Sequence, residues 1–134
     1  MDRDYFNPTD SMKSIPRGYS HVIKVTNPGS FVFIAGQGPL DGEMNVVGPG
    51  DIEIQTRKTF QNIKKHLDAA GATFKDVVKM TVYLLDIENH QWPVRNVRGE
   101  FIDTNNPPVS TMIEVRKLAI EDMIIEIDCI ALVA

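Results

Sequence analysis

The residues of this chain that could do chemistry lie in four short stretches. Glu126 and Asp128 occupy alternate positions in an otherwise apolar run at residues 124–133, and Glu114 lies upstream. Carboxylates set among apolar side chains can orient a water molecule. They can equally tile a polar seam between subunits, because buried acids belong to structural ion pairs as well as to sites. Arg95 and Arg98 are three apart, a spacing that shares one helix face, and guanidinium offers a planar fork to a carboxylate. The alternative is a solvated face paired with acids such as Glu100. Ser110 and Thr111 follow Pro107-Pro108. Their hydroxyls can bond a ligand or satisfy backbone groups freed by the prolines. Tyr19 can stack on a ligand or donate to it, or it can be a strand-edge aromatic.

Other chemistries find little support. No histidine sits in a motif that would make it a base for a serine nucleophile. The Gly36-Gln37-Gly38-Pro39 loop lacks the lysine and helix start of a phosphate cradle, and it reads as a sharp strand exit forming a cleft wall. His21, His66 and His90 have no metal-ligand spacing, and the single cysteine, Cys129, has no partner. No metal site is expected. Cys129 reads as a core residue, and Trp92 and Phe101 as helix packing.

The elements that must hold these residues follow from periodicity. Residues 19–26 alternate as a strand, Asn27-Pro28-Gly29 is a turn signal, and residues 30–35 form a second strand, so the two together read as a hairpin. Residues 44–47 suit a short third strand after Asp41-Gly42. Phe60, Ile63, Leu67 and Ala70 recur at helical spacing from Ile52 onward, with Asp51 as cap and Gly71 at the end. Residues 77–85 read as a strand. Asn89 can cap a second helix with Pro93 in its first turn, its apolar stripe being Val94, Val97 and Phe101. Residues 111–115 and 124–133 are the last strands. Residues 1–18 lack periodicity and read as an N-terminal arm of a single domain spanning 1–134. The order predicts an α+β fold with one mixed sheet and two helices on one face. On the final strand Ile125, Ile127, Cys129 and Ala131 point to the helices. Ile124, Glu126, Asp128, Ile130 and Leu132 point the other way, onto a face too apolar to stay wet, so a ring-shaped homo-oligomer is expected.

With 134 residues, 43% hydrophobic and 24% charged, the chain has the composition of one globular domain. A net charge of −4 disfavours a nucleic-acid binder, whose affinity rests on Lys and Arg against phosphate. The N-terminus shows no apolar signal-peptide core, and no run approaches a membrane span. A cytoplasmic protein without membrane or nucleic-acid partners is expected.

The chain resembles the Rid family of reactive intermediate deaminases, also called the YjgF/UK114 family. The matching pieces are GYS at 18–20, AGQGPLD at 35–41, residues 55–86, NPPVSTMIEVRKL at 106–118 and IEIDCIA at 125–131. The resemblance implies a homotrimer of chorismate-mutase-like (YjgF) fold, with clefts at subunit interfaces that take a small carboxylate. It implies hydrolysis of enamine or imine acids such as 2-aminoacrylate to keto acids and ammonia, without a cofactor. Carried over residue by residue, a cleft tyrosine falls on Tyr19 and a Gly-Gln pair on Gly36 and Gln37. The carboxylate that positions water falls on Asp128, one methylene shorter than the usual Glu. The family's carboxylate-holding arginine falls on Ser110, and an asparagine early in the second helix falls on Arg95. Arg95 and Arg98 are thus candidates to replace the clamp. Two other readings stand beside the hydrolase: a trimer that binds a small metabolite without turnover, and an RNA-cleaving or RNA-binding protein.

Overall fold

The computed structural model describes all 134 residues. Helix α1 (Ile52–Ala69) starts where the Asp51 carboxylate, on extended backbone, accepts the Ile54 N–H at 3.0 Å, satisfying one of the free donors of the first turn. Phe60, Ile63 and Leu67 are fully buried on its inner face, while Ala70 caps the end in solvent. Helix α2 (Ile87–Arg98) begins earlier than the sequence suggested. Asp86 is its N-cap at φ 52°, and Asn89 donates to both Asp86 carboxylate oxygens at 3.0 and 2.8 Å. Pro93 therefore falls inside the helix, where it has no N–H to return to the Asn89 carbonyl. Val94, Val97 and Arg98 form the buried face.

Four strands make the main sheet: β3 (Ser30–Gln37), β4 (Val77–Leu84), β5 (Val109–Glu114) and β6 (Ile125–Val133), in the order β3-β6-β4-β5. β6 runs antiparallel to both neighbours, and β4 pairs parallel with β5. The chain passes from β3 through α1 to β4, and from β4 through α2 to β5. Both crossovers join parallel strands and travel the same way across the sheet, so right-handed connection puts both helices on one face. Ile125, Ile127, Cys129 and Ala131 of β6 meet Met80, Val82 and Leu84 of β4 and the helix side chains in one core cluster. The alternation expected along the last strand is observed.

The N-terminal half departs from expectation. Residues 2–6, read as part of an arm, form β1 (Asp2–Phe6), which pairs antiparallel with β2 (Val22–Thr26) as a separate two-stranded ribbon. β2 and β3 do not form a hairpin. At Asn27, φ 53°, the turn sends the two strands to different partners, and Gly29 N–H reaches the Val133 carbonyl at 2.9 Å. Each strand pairs elsewhere: β2 takes β1, and β3 takes the nine-residue β6. Arg3 ties the ribbon down through the Leu132 carbonyl at 2.8 Å, the Lys75 carbonyl and Asp76. The short strand expected at 44–47 is reduced to one bridge, Leu40 to Val46.

The face of the sheet away from the helices is uncovered in the single chain. It carries Phe31 and Phe33, stacked at 6.4 Å between centroids and 59% and 73% exposed, and Ile113. In the same layer the register lines up Thr111, Thr81 and Asp128 across β5, β4 and β6.

Candidate functional site

Ser110 begins the argument. It sits beside Met80 in the parallel register of β5 and β4, and Met80 is fully buried against the helices. Ser110 therefore faces the helix side. There its Oγ accepts a hydrogen bond from Arg98 Nη1 at 3.3 Å. Arg98 Nη2 donates to the Arg17 carbonyl at 2.9 Å, and Arg95 Nε donates to the same carbonyl at 3.1 Å. That carbonyl ends the 3-10 turn Ile15–Arg17. Gly18 follows at φ 84°, and a Cβ there would lie 2.7 Å from Arg98 Nη2. The left-handed backbone calls for glycine, and any side chain there would have to displace the Arg98 guanidinium. Ser20 completes the arrangement by donating its hydroxyl to the Pro107 carbonyl at 2.7 Å and its N–H to the Pro108 carbonyl at 3.1 Å. The segment carrying Tyr19 is thereby fixed beside the entrance to β5.

The result is a cavity of about 200 Å³ between α2, the 3-10 turn and β5. Arg17, Tyr19, Arg95, Arg98 and Ser110 line it, with Met12 and Met112 as its apolar wall. Arg98 is only 3% exposed. Burial, and then the charge of Arg95, push its pKa down to about 10. Arg95 is also lowered, by burial and then by Arg17. Both causes disfavour positive charge, and the ion pairs of the chain, Arg3–Asp76, Arg57–Glu100 and Lys64–Asp68, involve none of the three arginines. Arg98 uses two donors on protein oxygens of the five a guanidinium carries. Chemically, such a set of donors can receive an anion.

The sequence-derived site residues separate into three groups. Tyr19, Arg95 and Ser110 share the arginine pocket. Gly36 and Gln37 line a second cavity of about 380 Å³ with Asn62, Lys65, His66 and Glu126. The strand irregularity between Ile34 and Gln37 presses Gly36 onto β6, where a Cβ would meet Glu126 Cδ at 2.8 Å. Asp128 and Thr111 lie on the uncovered outer face, opposite Ser110. Asp128 accepts a hydrogen bond from the Tyr83 hydroxyl at 3.0 Å. That bond, then the carboxylate's charge, holds the Tyr83 phenol above its usual pKa. Arg17 was not anticipated from the sequence. The signal available was its neighbour Gly18, at the start of the GYS piece. Arg98 was weighed beside Arg95, and it is Arg98 that meets Ser110.

Residues 11–133 match the family model described as Endoribonuclease L-PSP. A RutC family protein of Pyrococcus abyssi is 41% identical over 113 residues, 84% of each chain. TdcF of Escherichia coli, a putative reactive intermediate deaminase, is 31% identical over 118 residues, 87% of this chain and 89% of its own. Its structure with bound serine has a TM-score of 0.69 at 29% identity, over 81% of this chain and 85% of that one. YyfB of Yersinia pestis, a Rid family protein of unknown function, reaches a TM-score of 0.88 at 31% identity, over 99% of this chain and all of its own.

Proposed function

From the premise that this chain belongs to the Endoribonuclease L-PSP family, the YjgF/Rid family, we propose that it is an imine hydrolase whose carboxylate clamp has moved from β5 to α2. The observation that carries this is Arg98: a buried guanidinium without an acid partner, hydrogen-bonded to the serine that occupies the clamp position. The substrate's carboxylate takes the free donors of Arg98, flanked by Arg95, with Tyr19 alongside. A homotrimer forms through the apolar outer face, and the interface brings Asp128 and the Gly36-Gln37 exit of neighbouring copies toward the arginine pocket. Three groups that stand apart in one chain then serve one cleft.

In the reaction a water held by Asp128 adds to the carbon of the C=N bond. One of its protons passes through the carboxylate to the nitrogen, giving a carbinolamine. The proton of the new hydroxyl then follows the same route to the nitrogen as the C=O bond forms, the C–N bond breaks and ammonia leaves. Imine acid plus water thus gives keto acid plus ammonia. Positioning and proton transfer are the two contributions asked of the protein. The serine-bound relative supports a ligand of amino-acid size.

The test is ammonia release from imines generated in place by an amino-acid oxidase acting on a panel of amino acids. Acceleration over buffer is expected. Asp128→Asn is expected to slow it at least about a hundredfold, the usual scale for general acid–base groups, with the assembly intact on sedimentation. No acceleration with any imine would sink the hydrolase. The second reading, a binding trimer without turnover, is favoured by the engagement of Asp128 with Tyr83. Saturable keto-acid binding without ammonia release would support it. For RNA cleavage, the arginines converge on one small pocket rather than following a strand, and the net charge is −4.

A further inference from the structure

We propose that the pocket selects a doubly anionic substrate, an imine or keto acid carrying a second carboxylate. This rests on the reading of the arginine pocket as the substrate site. One guanidinium fork is enough for one carboxylate, and Arg98 supplies it. Arg17 and Arg95 then remain. They are gathered on the same residues of α2: Arg95 Nη1 donates to Gln91 Oε1 at 2.7 Å, and Arg17 Nη2 to the same oxygen at 3.5 Å. Both guanidinium carbons also lie over the Trp92 ring, at 5.1 and 5.6 Å.

Two cations brought to one amide oxygen and one indole repel each other, and an anion between them offsets that repulsion. No acid of the chain does so. Asp103 shares a small crevice behind Arg95 and Arg98, but its carboxylate accepts from Asn105 N–H at 2.9 Å instead. The cavity, about 200 Å³, is smaller than the range of roughly 300–1,000 Å³ that holds drug-sized ligands. It suits a short diacid with one carboxylate on Arg98 and the other on the Arg17–Arg95 pair, Met112 forming part of the wall.

The experiment compares 2-oxoglutarate with 2-oxopentanoate, two five-carbon keto acids that differ by one terminal carboxylate. Each is titrated into the assembled protein at fixed ionic strength. Binding is followed by calorimetry and by fluorescence of Trp92, the only tryptophan of the chain. The diacid is expected to bind at least about tenfold tighter, the scale of one added charge-assisted contact. Arg17→Gln keeps the carbonyl that Arg95 and Arg98 use, and it is expected to narrow the ratio to within about threefold. Arg95→Gln is the second variant, and is expected to do the same. Equal affinities in the native protein would overturn the diacid preference while leaving the hydrolase intact. A ratio unchanged in both variants would also overturn it. Failure of both keto acids to bind would remove the pocket as a substrate site, and the diacid proposal with it.

Discussion

Arg98 has left water without meeting an acid, and such a charge costs stability until an anion arrives. Its hydroxyl partner, Ser110, leaves no room for a second arginine. A guanidinium grown from position 110 would enter the space already held by Arg98. Ser110→Arg is therefore expected to destabilise the fold by about 2 kcal/mol, from overpacking and like charge, with no gain in imine hydrolysis. Urea denaturation and ammonia release check the two halves. Cys129 offers a second residue-scale expectation. It is 2% exposed, and burial, then the charge of Asp128, push its thiol up to about 12. An unfolded thiol titrates near about 8.5. Through that window the folded chain keeps a proton that the unfolded chain releases. The stability this contributes is whole below about pH 8.5 and is lost as pH climbs toward about 12. Denaturation across this range is expected to show a shallower decline in Cys129→Ala than in the native chain. Equal slopes would mean that the thiol does not titrate differently on folding.

At the scale of elements, α1 and α2 do different work. α1 is a packing helix. Beyond its apolar stripe it buries Gln55, whose amide donates to the Gly48 and Asp122 carbonyls and accepts the Ile124 N–H, so it pins the loops before α1 and β6. Its start depends on Asp51. Asp51→Ala is expected to cost about 1 kcal/mol, read as a lower Tm, with keto-acid affinity unchanged because the arginine pocket is built elsewhere. α2 instead turns Arg95 and Arg98 inward at its C-terminal end, where carbonyls of the last turn favour cations. The ribbon β1-β2 was hidden at this scale. Alternation at 22–26 identified a strand, but strand pairing is chosen by whichever edge fits in the folded chain, and a tight turn signal does not guarantee a hairpin. The start of α2 lies three residues before the one Asn89 suggested, because Asp86, in left-handed backbone, occupies the N-cap position.

For the whole molecule, the outer face sets the terms. Phe33, at 73% exposed, and Phe31 beside it form the kind of apolar patch that seeks a partner surface. Phe33→Glu is expected to convert the proposed trimer to single chains on sedimentation, with the proposed hydrolysis lost and the fold retained by circular dichroism. An assembly that survives the charge would place the interface elsewhere. Activity that survives dissociation would show that one chain holds a complete site.

Sequence alone determined the order of strands and helices from β3 onward, apart from the short strand expected at 44–47, the inward and outward alternation of the last strand, and family membership through pieces spread along the chain. These are properties of local periodicity and of residues that occur in a fixed order, so one dimension contains them. The tertiary structure decided which arginine meets Ser110, because that contact depends on a carbonyl 81 positions before Arg98 and on a glycine that leaves room for it. It also decided that Ser110 and Asp128 lie on opposite faces of the sheet. Strand register fixes the side to which each residue points, and register exists only once the strands have paired.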